Sequence, residues 1–80
     1  MGTLRLLTGA ARILLALSRA GGRMTFSELV KATGMAPSLL DRNLKALLAE
    51  GLVEKRGRFY VLTSNGRAKI ESLIAEIIGR

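Results

Sequence analysis

TFSELVKATGMAPSLLDRNLKALLAEGLVEKRGRFYVLT, residues 25–63, changes its hydrophobic period part way along, and that change decides the fold. From Pro37 to about Glu50, at 100° per residue, Leu40, Leu44, Leu47 and Leu48 share one arc. Ser38, Leu39, Arg42, Lys45, Ala46 and Ala49 share the opposite arc, which makes the segment an amphipathic helix. Pro37 suits the first turn, where its missing N–H is not needed, and Gly51 suits the end. Beyond Gly51 the period falls from helical to alternating. Residues 53–56 and 59–62 read as two strands around Gly57-Arg58, a pair suited to a type II′ turn. That register sets Val53 opposite Leu62 and Lys55 opposite Tyr60.

Upstream, residues 26–33 form a short helix with Phe26, Leu29 and Val30 on one face, and Gly34 is the turn residue behind it. Residues 23–25 read as a short extended link. A first helix over about 3–20 places Arg5, Thr8, Arg12 and Arg19 in one narrow stripe, with Leu4, Leu7, Ala11, Leu14 and Leu15 on the remaining sides. Such a helix is buried over most of its circumference, and Gly21-Gly22 ends it. Downstream, Thr63 caps a last helix over about 64–78, in which Ile70, Leu73, Ile74 and Ile77 recur at helical spacing. The expected fold is mostly α with a small β-hairpin (α+β), three helices, two strands and a helix in one domain over residues 1–80.

Composition narrows the functional classes. The 80 residues are 49% hydrophobic, more apolar surface than so small a core buries in isolation, so a homodimer is expected. Its interface would come from the first and last helices, through Leu4, Leu7, Leu14, Ile70, Leu73, Ile74 and Ile77, with Arg5, Arg12 and Arg19 pairing with Glu71 and Glu76. The chain has no cysteine and no histidine, which excludes a disulfide framework and removes the usual soft and imidazole metal ligands. No metal or cofactor is expected. No nucleophile has a base beside it, no carboxylates pair, and no glycine loop cradles phosphate, so an enzyme is not expected.

Net charge is +7, which suits nucleic acid, an anionic membrane or an acidic partner. The leucine-rich basic start resembles a targeting segment, but Arg12 interrupts its apolar run. No apolar run approaches the roughly 18 residues of a membrane span. The expected location is the cytoplasm, on the nucleoid.

The segment SELVKATGMAPSLLDRNLKALLAEGLVEKRGRFYVLTSNGR, about half the chain, resembles the winged helix-turn-helix regulators of the MarR/ArsR/PadR type common in archaea and bacteria. There a helix ends in "L..LL..GLV", a wing follows, and "LT..GR" opens the next helix. The resemblance implies that residues 37–50 are a recognition helix for the major groove and that Lys55 to Arg58 form a wing against the backbone or minor groove.

The residues agree with that implication on physical grounds. A major groove about 12 Å wide admits one helix, which must hold its domain with one arc and turn the other to the bases. Ser38, Leu39, Arg42 and Lys45 occupy the outer arc: Arg42 suits guanine, Leu39 a thymine methyl, and Ser38 a phosphate or base. Asn43 lies off the centre of that face, and Asp41 reads as a local ion pair. Lys55, Arg56 and Arg58 crowd three cations into four residues of the wing. The main reading is a dimeric transcriptional regulator that binds specific double-stranded DNA, with its small-molecule effector unknown. A non-specific chromatin-type DNA binder of the same fold, and a winged helix that serves protein assembly without DNA, are the alternatives.

Overall fold

The computed structural model describes residues 8–78. Leu4, Arg5, Leu7 and the start of the expected first helix lie outside the described residues, as does the side chain of Ile77. The elements run α1 (Gly9–Arg19), β1 (Arg23–Thr25), α2 (Phe26–Thr33), α3 (Pro37–Ala49), β2 (Val53–Arg56), β3 (Phe59–Leu62) and α4 (Ser64–Ile78). This is the expected mostly α arrangement with a small hairpin.

Two local readings change. Thr8 does not continue a helix over 3–20. Its backbone is extended and its Oγ1 accepts the Ala11 N–H at 3.1 Å, so it caps α1. A threonine hydroxyl satisfies one of the orphan amides at a helix start, which a mid-helix threonine does not. Residues 23–25 are also more than a link, because they pair antiparallel with β3 and give a sheet of order β1-β3-β2. In the hairpin Val53 lies opposite Leu62 and Lys55 opposite Tyr60, as the alternation requires. Gly57 has φ 61° while Arg58 does not take positive φ, which fits type II′ and excludes type I′.

α1 sits at the centre and packs on α2, α3, α4 and β3. Ile13, Leu17, Leu29 and Leu40 are fully enclosed, and Leu44, Leu47, Val53, Met24 and Leu62 complete the core around them. Each such leucine contributes about 1.5–3 kcal/mol on burial. Leu14 and Ile70, expected at a dimer interface, are only 2% and 5% exposed. They belong to the intramolecular core, because α1 is surrounded by its own chain on the side that periodicity alone marks as apolar.

The joint that sets α3, the hairpin and α4 against one another is made of four residues. Thr63 Oγ1 donates to the Gly51 carbonyl at 2.7 Å and accepts the Gly66 N–H at 3.0 Å, and the Thr63 N–H donates to the Leu52 carbonyl at 3.2 Å. Thr63 therefore caps α4, as its position predicts, and also ties that cap to the end of α3. Gly66 packs so closely that a Cβ there would stand 2.2 Å from the Leu52 carbonyl oxygen.

Candidate nucleic-acid interface

The outer arc of α3 is as the helical period requires. Ser38, Leu39, Arg42, Lys45, Ala46 and Ala49 are exposed, Leu39 at 42%, while Leu40, Leu44 and Leu47 anchor the opposite side. Ala36 at the N-cap supplies no side-chain hydrogen bond and Pro37 stands first in the helix. The N–H groups of Ser38 and Leu39 therefore have no acceptor among the described residues. A helix start with unsatisfied amides and partial positive charge favours an anion.

The four side chains of this arc are not equivalent. Lys45 Nζ lies 3.1 Å from Asp41 Oδ2 one turn earlier, the local pair that the sequence suggests for Asp41. Both groups are exposed, so the pair is weak and Lys45 can exchange it for a phosphate. Arg42 has no ion-pair partner among the described residues. Asn43 donates to the Leu39 carbonyl at 2.9 Å and lies against Gly9, which removes it from the outward face.

Register sorts the wing. Lys55 shares a face with Val53 and Tyr60, and its Nζ sits 5.1 Å from the Tyr60 ring centre. Arg58 lies 5.7 Å from the Phe59 ring. Arg56 is on the other face, with its Nε 3.1 Å from Glu54 Oε1. Thus two wing cations are braced by aromatic rings and one is paired with an acid. A groove of about 480 Å³ separates this hairpin from the start of α2, with Ser27, Lys55, Arg58 and Tyr60 among its walls.

Sequence reasoning missed Arg23. Its guanidinium lies 4.8 Å over Phe59, on the same sheet face as Arg56, and only the pairing of β1 with β3 brings it there. Within the chain, neither Arg12 nor Arg19 pairs with Glu71 or Glu76 among the described residues. Arg12 Nη2 instead donates to the Thr33 carbonyl at 2.6 Å, because the last carbonyls of α2 need donors that the helix itself does not supply.

Among the described residues no acid cluster could hold a metal ion and no helix is long and apolar enough to cross a membrane. A three-helix core with a helix-turn-helix and a cationic wing is the winged-helix architecture of DNA-binding transcription regulators. The chain belongs to the arsR family of bacterial regulatory proteins, whose helix-turn-helix family model matches residues 9–55.

Solved structures agree. BpsR of Bordetella bronchiseptica, whose DNA binding is regulated by 6-hydroxynicotinic acid, is 27% identical with a TM-score of 0.76 over 88% of this chain and 54% of its own. A MarR family transcriptional regulator from Silicibacter pomeroyi DSS is 30% identical with a TM-score of 0.69, covering 99% of this chain and 62% of its own. The chain thus spans about half the length of BpsR and under two thirds of the second regulator. F93 from STIV, a winged-helix DNA-binding protein, shares the fold at 21% identity and TM-score 0.71, over 85% of this chain and 88% of its own. No curated protein matches the chain.

Proposed function

We propose that residues 1–80 act as a single winged-helix domain that binds specific double-stranded DNA as a homodimer in the bacterial or archaeal nucleoid and regulates transcription by occupying its site. The observation that carries this reading is the outer arc of α3, where Ser38, Leu39, Arg42 and Lys45 stand exposed beside a wing bearing Lys55, Arg56 and Arg58. An arc that only faced solvent has no need of an exposed leucine between a serine and an arginine. A helix that reads base edges has use for each of the three.

Within this reading Arg42 contacts guanine in a forked geometry, Leu39 meets a thymine methyl, and Ser38 with the adjoining free amides holds a phosphate. Lys55 and Arg58, braced by Tyr60 and Phe59, hold the backbone beside the minor groove, and Arg56 joins them when it exchanges Glu54 for a phosphate. Leu73 and Ile74, on the outward part of α4, supply the partner contact together with the ends of the chain, Leu4, Leu7 and Ile77. Ile74 is 43% exposed, an apolar group of the kind a second copy would cover. Two recognition helices related by a twofold axis then lie about 34 Å apart, one turn of DNA. No chemistry is catalysed and no metal or cofactor takes part.

Selection from a pool of random duplexes tests the reading. It predicts an enriched, inverted-repeat motif with half-sites about one helical turn apart. Tight binding with no enriched motif overturns specific reading in favour of non-specific packaging. Failure to bind any duplex at low salt overturns DNA binding and favours protein assembly.

A further inference from the structure

The sheet has an outward face that the core does not use. Met24, Val53 and Leu62 are buried in the core, so the alternate residues of the three strands point away from it. Pairing sets these in two rows: Arg23, Val61 and Glu54, then Thr25, Phe59 and Arg56. Neighbouring strands stand about 4.8 Å apart, so the two outer columns are about 10 Å apart. Val61 and Phe59 form a half-buried apolar column on the central strand, and Arg23, Glu54 and Arg56 are exposed on either side of it.

The charges around this column are unevenly engaged. Arg23 lies 4.8 Å from the Phe59 ring centre, and Arg58, from the turn, lies 5.7 Å from it. A guanidinium stacked on a ring is held by its flat side and keeps its N–H fork open at the edge. Neither Arg23 nor Arg58 has an ion-pair or side-chain hydrogen-bond acceptor among the described residues. Arg56 donates its Nε to Glu54 at 3.1 Å, in a pair whose members are both exposed and exchange readily. Glu54 is the one acid of the face.

We propose that this face docks an acidic segment of another protein, one in which carboxylates flank a short pair of apolar side chains. The apolar pair covers Val61 and Phe59, and the carboxylates take the open forks of Arg23 and Arg58 with two parallel hydrogen bonds each. Two other occupants fit less well. A nucleic acid strand stacks its bases on aromatic rings, but the single ring here already carries two guanidinium groups, and a phosphate chain would leave Val61 uncovered. A second copy of this chain brings a net charge of +7 and would set cations against cations. The docking stands without the DNA-binding reading, since Arg23 and Val61 take no part in that site.

The test titrates the full chain at low salt with the peptide DDLLDD, with NNLLNN as its neutral isostere and DDSSDD as its polar counterpart. Amide and arginine side-chain NMR shifts should saturate and centre on Arg23, Glu54, Arg56, Phe59 and Val61, with a dissociation constant of about 1 mM, as an open surface with charged anchors allows. NNLLNN should bind at least about tenfold more weakly and DDSSDD at least about threefold. No saturable shift, equal binding by either control, or shifts centred elsewhere overturns the proposal.

Variants separate docking from folding and from nucleic acid. Arg23→Gln, which loses no hydrogen bond of the fold, should weaken DDLLDD about threefold or more. Glu54→Gln removes the acid of the face and releases Arg56, so it should tighten DDLLDD about twofold or more, a gain that an unfolded variant cannot mimic. Unchanged binding by either variant overturns the proposal. A single-stranded thymidine hexamer that shifts the same residues at lower concentration than DDLLDD overturns protein docking in favour of nucleic acid. Arg23→Gln should also leave duplex affinity within about twofold. A drop as large as that from Arg58→Gln overturns the proposal, because the face would then belong to the duplex site.

Discussion

Gly66→Ala should destabilise this protein, against the usual effect of that substitution in a helix. Alanine within a helix normally gains about 0.5–1 kcal/mol over glycine because the unfolded chain loses freedom. Here the new methyl would stand 2.2 Å from the Leu52 carbonyl oxygen and 2.7 Å from Leu62 Cδ1. The leucine methyl can rotate away, but the carbonyl belongs to the backbone and also accepts the Thr63 N–H at 3.2 Å. Relief requires α4 to lift by about 1 Å, which strains the core by about 1–3 kcal/mol. The same lift stretches the Thr63 bonds to Gly51 and Gly66, worth about 1 kcal/mol each. After subtraction of the propensity gain, a net loss of about 2–4 kcal/mol remains, or roughly 10–30 °C in Tm for a domain of this size. Thermal unfolding followed by circular dichroism at fixed protein concentration measures it. Ala68→Gly, exposed on the same helix, serves as the control for propensity alone and should cost about 0.5–1 kcal/mol. A Gly66→Ala protein as stable as the wild type would refute the claim that α3, the hairpin and α4 meet at a fixed joint.

Three further outcomes are expected. Leu44→Ala removes a fully buried anchor of α3 and should cost about 2–5 kcal/mol in urea unfolding, while Leu39→Ala on the exposed arc should leave stability within about 0.5 kcal/mol. Ala36→Ser supplies the side-chain cap that α3 lacks and should raise stability by about 1 kcal/mol in the same assay. Ile74→Asp places a charge on the exposed apolar part of α4 and should lower the fraction of dimer seen by sedimentation at micromolar concentration, with the fold retained by circular dichroism.

Much of this fold can be read from the sequence because its periods are clean. Leu40, Leu44 and Leu47 fix the buried side of α3, and the same count fixes Arg42 and Lys45 outward. Alternation around Gly57 fixes the hairpin register, since a slip by one residue would turn Val53 and Leu62 to solvent. What escaped had no local signal. Three residues are too few for Arg23–Thr25 to show a strand period, and their pairing with β3 is settled by the packing of α1 and α2. Thr8 falls in the polar stripe of a helical period that continues on both sides of it, so its role as a cap shows only in its backbone and its bond to the Ala11 N–H. The contact between Arg12 and Thr33 spans 21 residues and no spacing rule predicts it. Leu14 and Ile70 illustrate a further limit: periodicity identifies an apolar face, but not whether the same chain or a second copy covers it. The wing cations were legible as a group, whereas the division into Lys55 and Arg58 on rings and Arg56 on an acid depends on strand pairing.

The central claim is that α3 reads bases while the wing holds the backbone. Its most direct measurement is the affinity of wild type and Arg42→Ala for the selected duplex and for a scrambled duplex of equal length at one salt concentration. Base reading by α3 predicts a loss of about 1–3 kcal/mol on the selected duplex and a much smaller loss on the scrambled one. Equal losses on both duplexes would contradict it, because Arg42 would then hold phosphate and α3 would read no sequence through it.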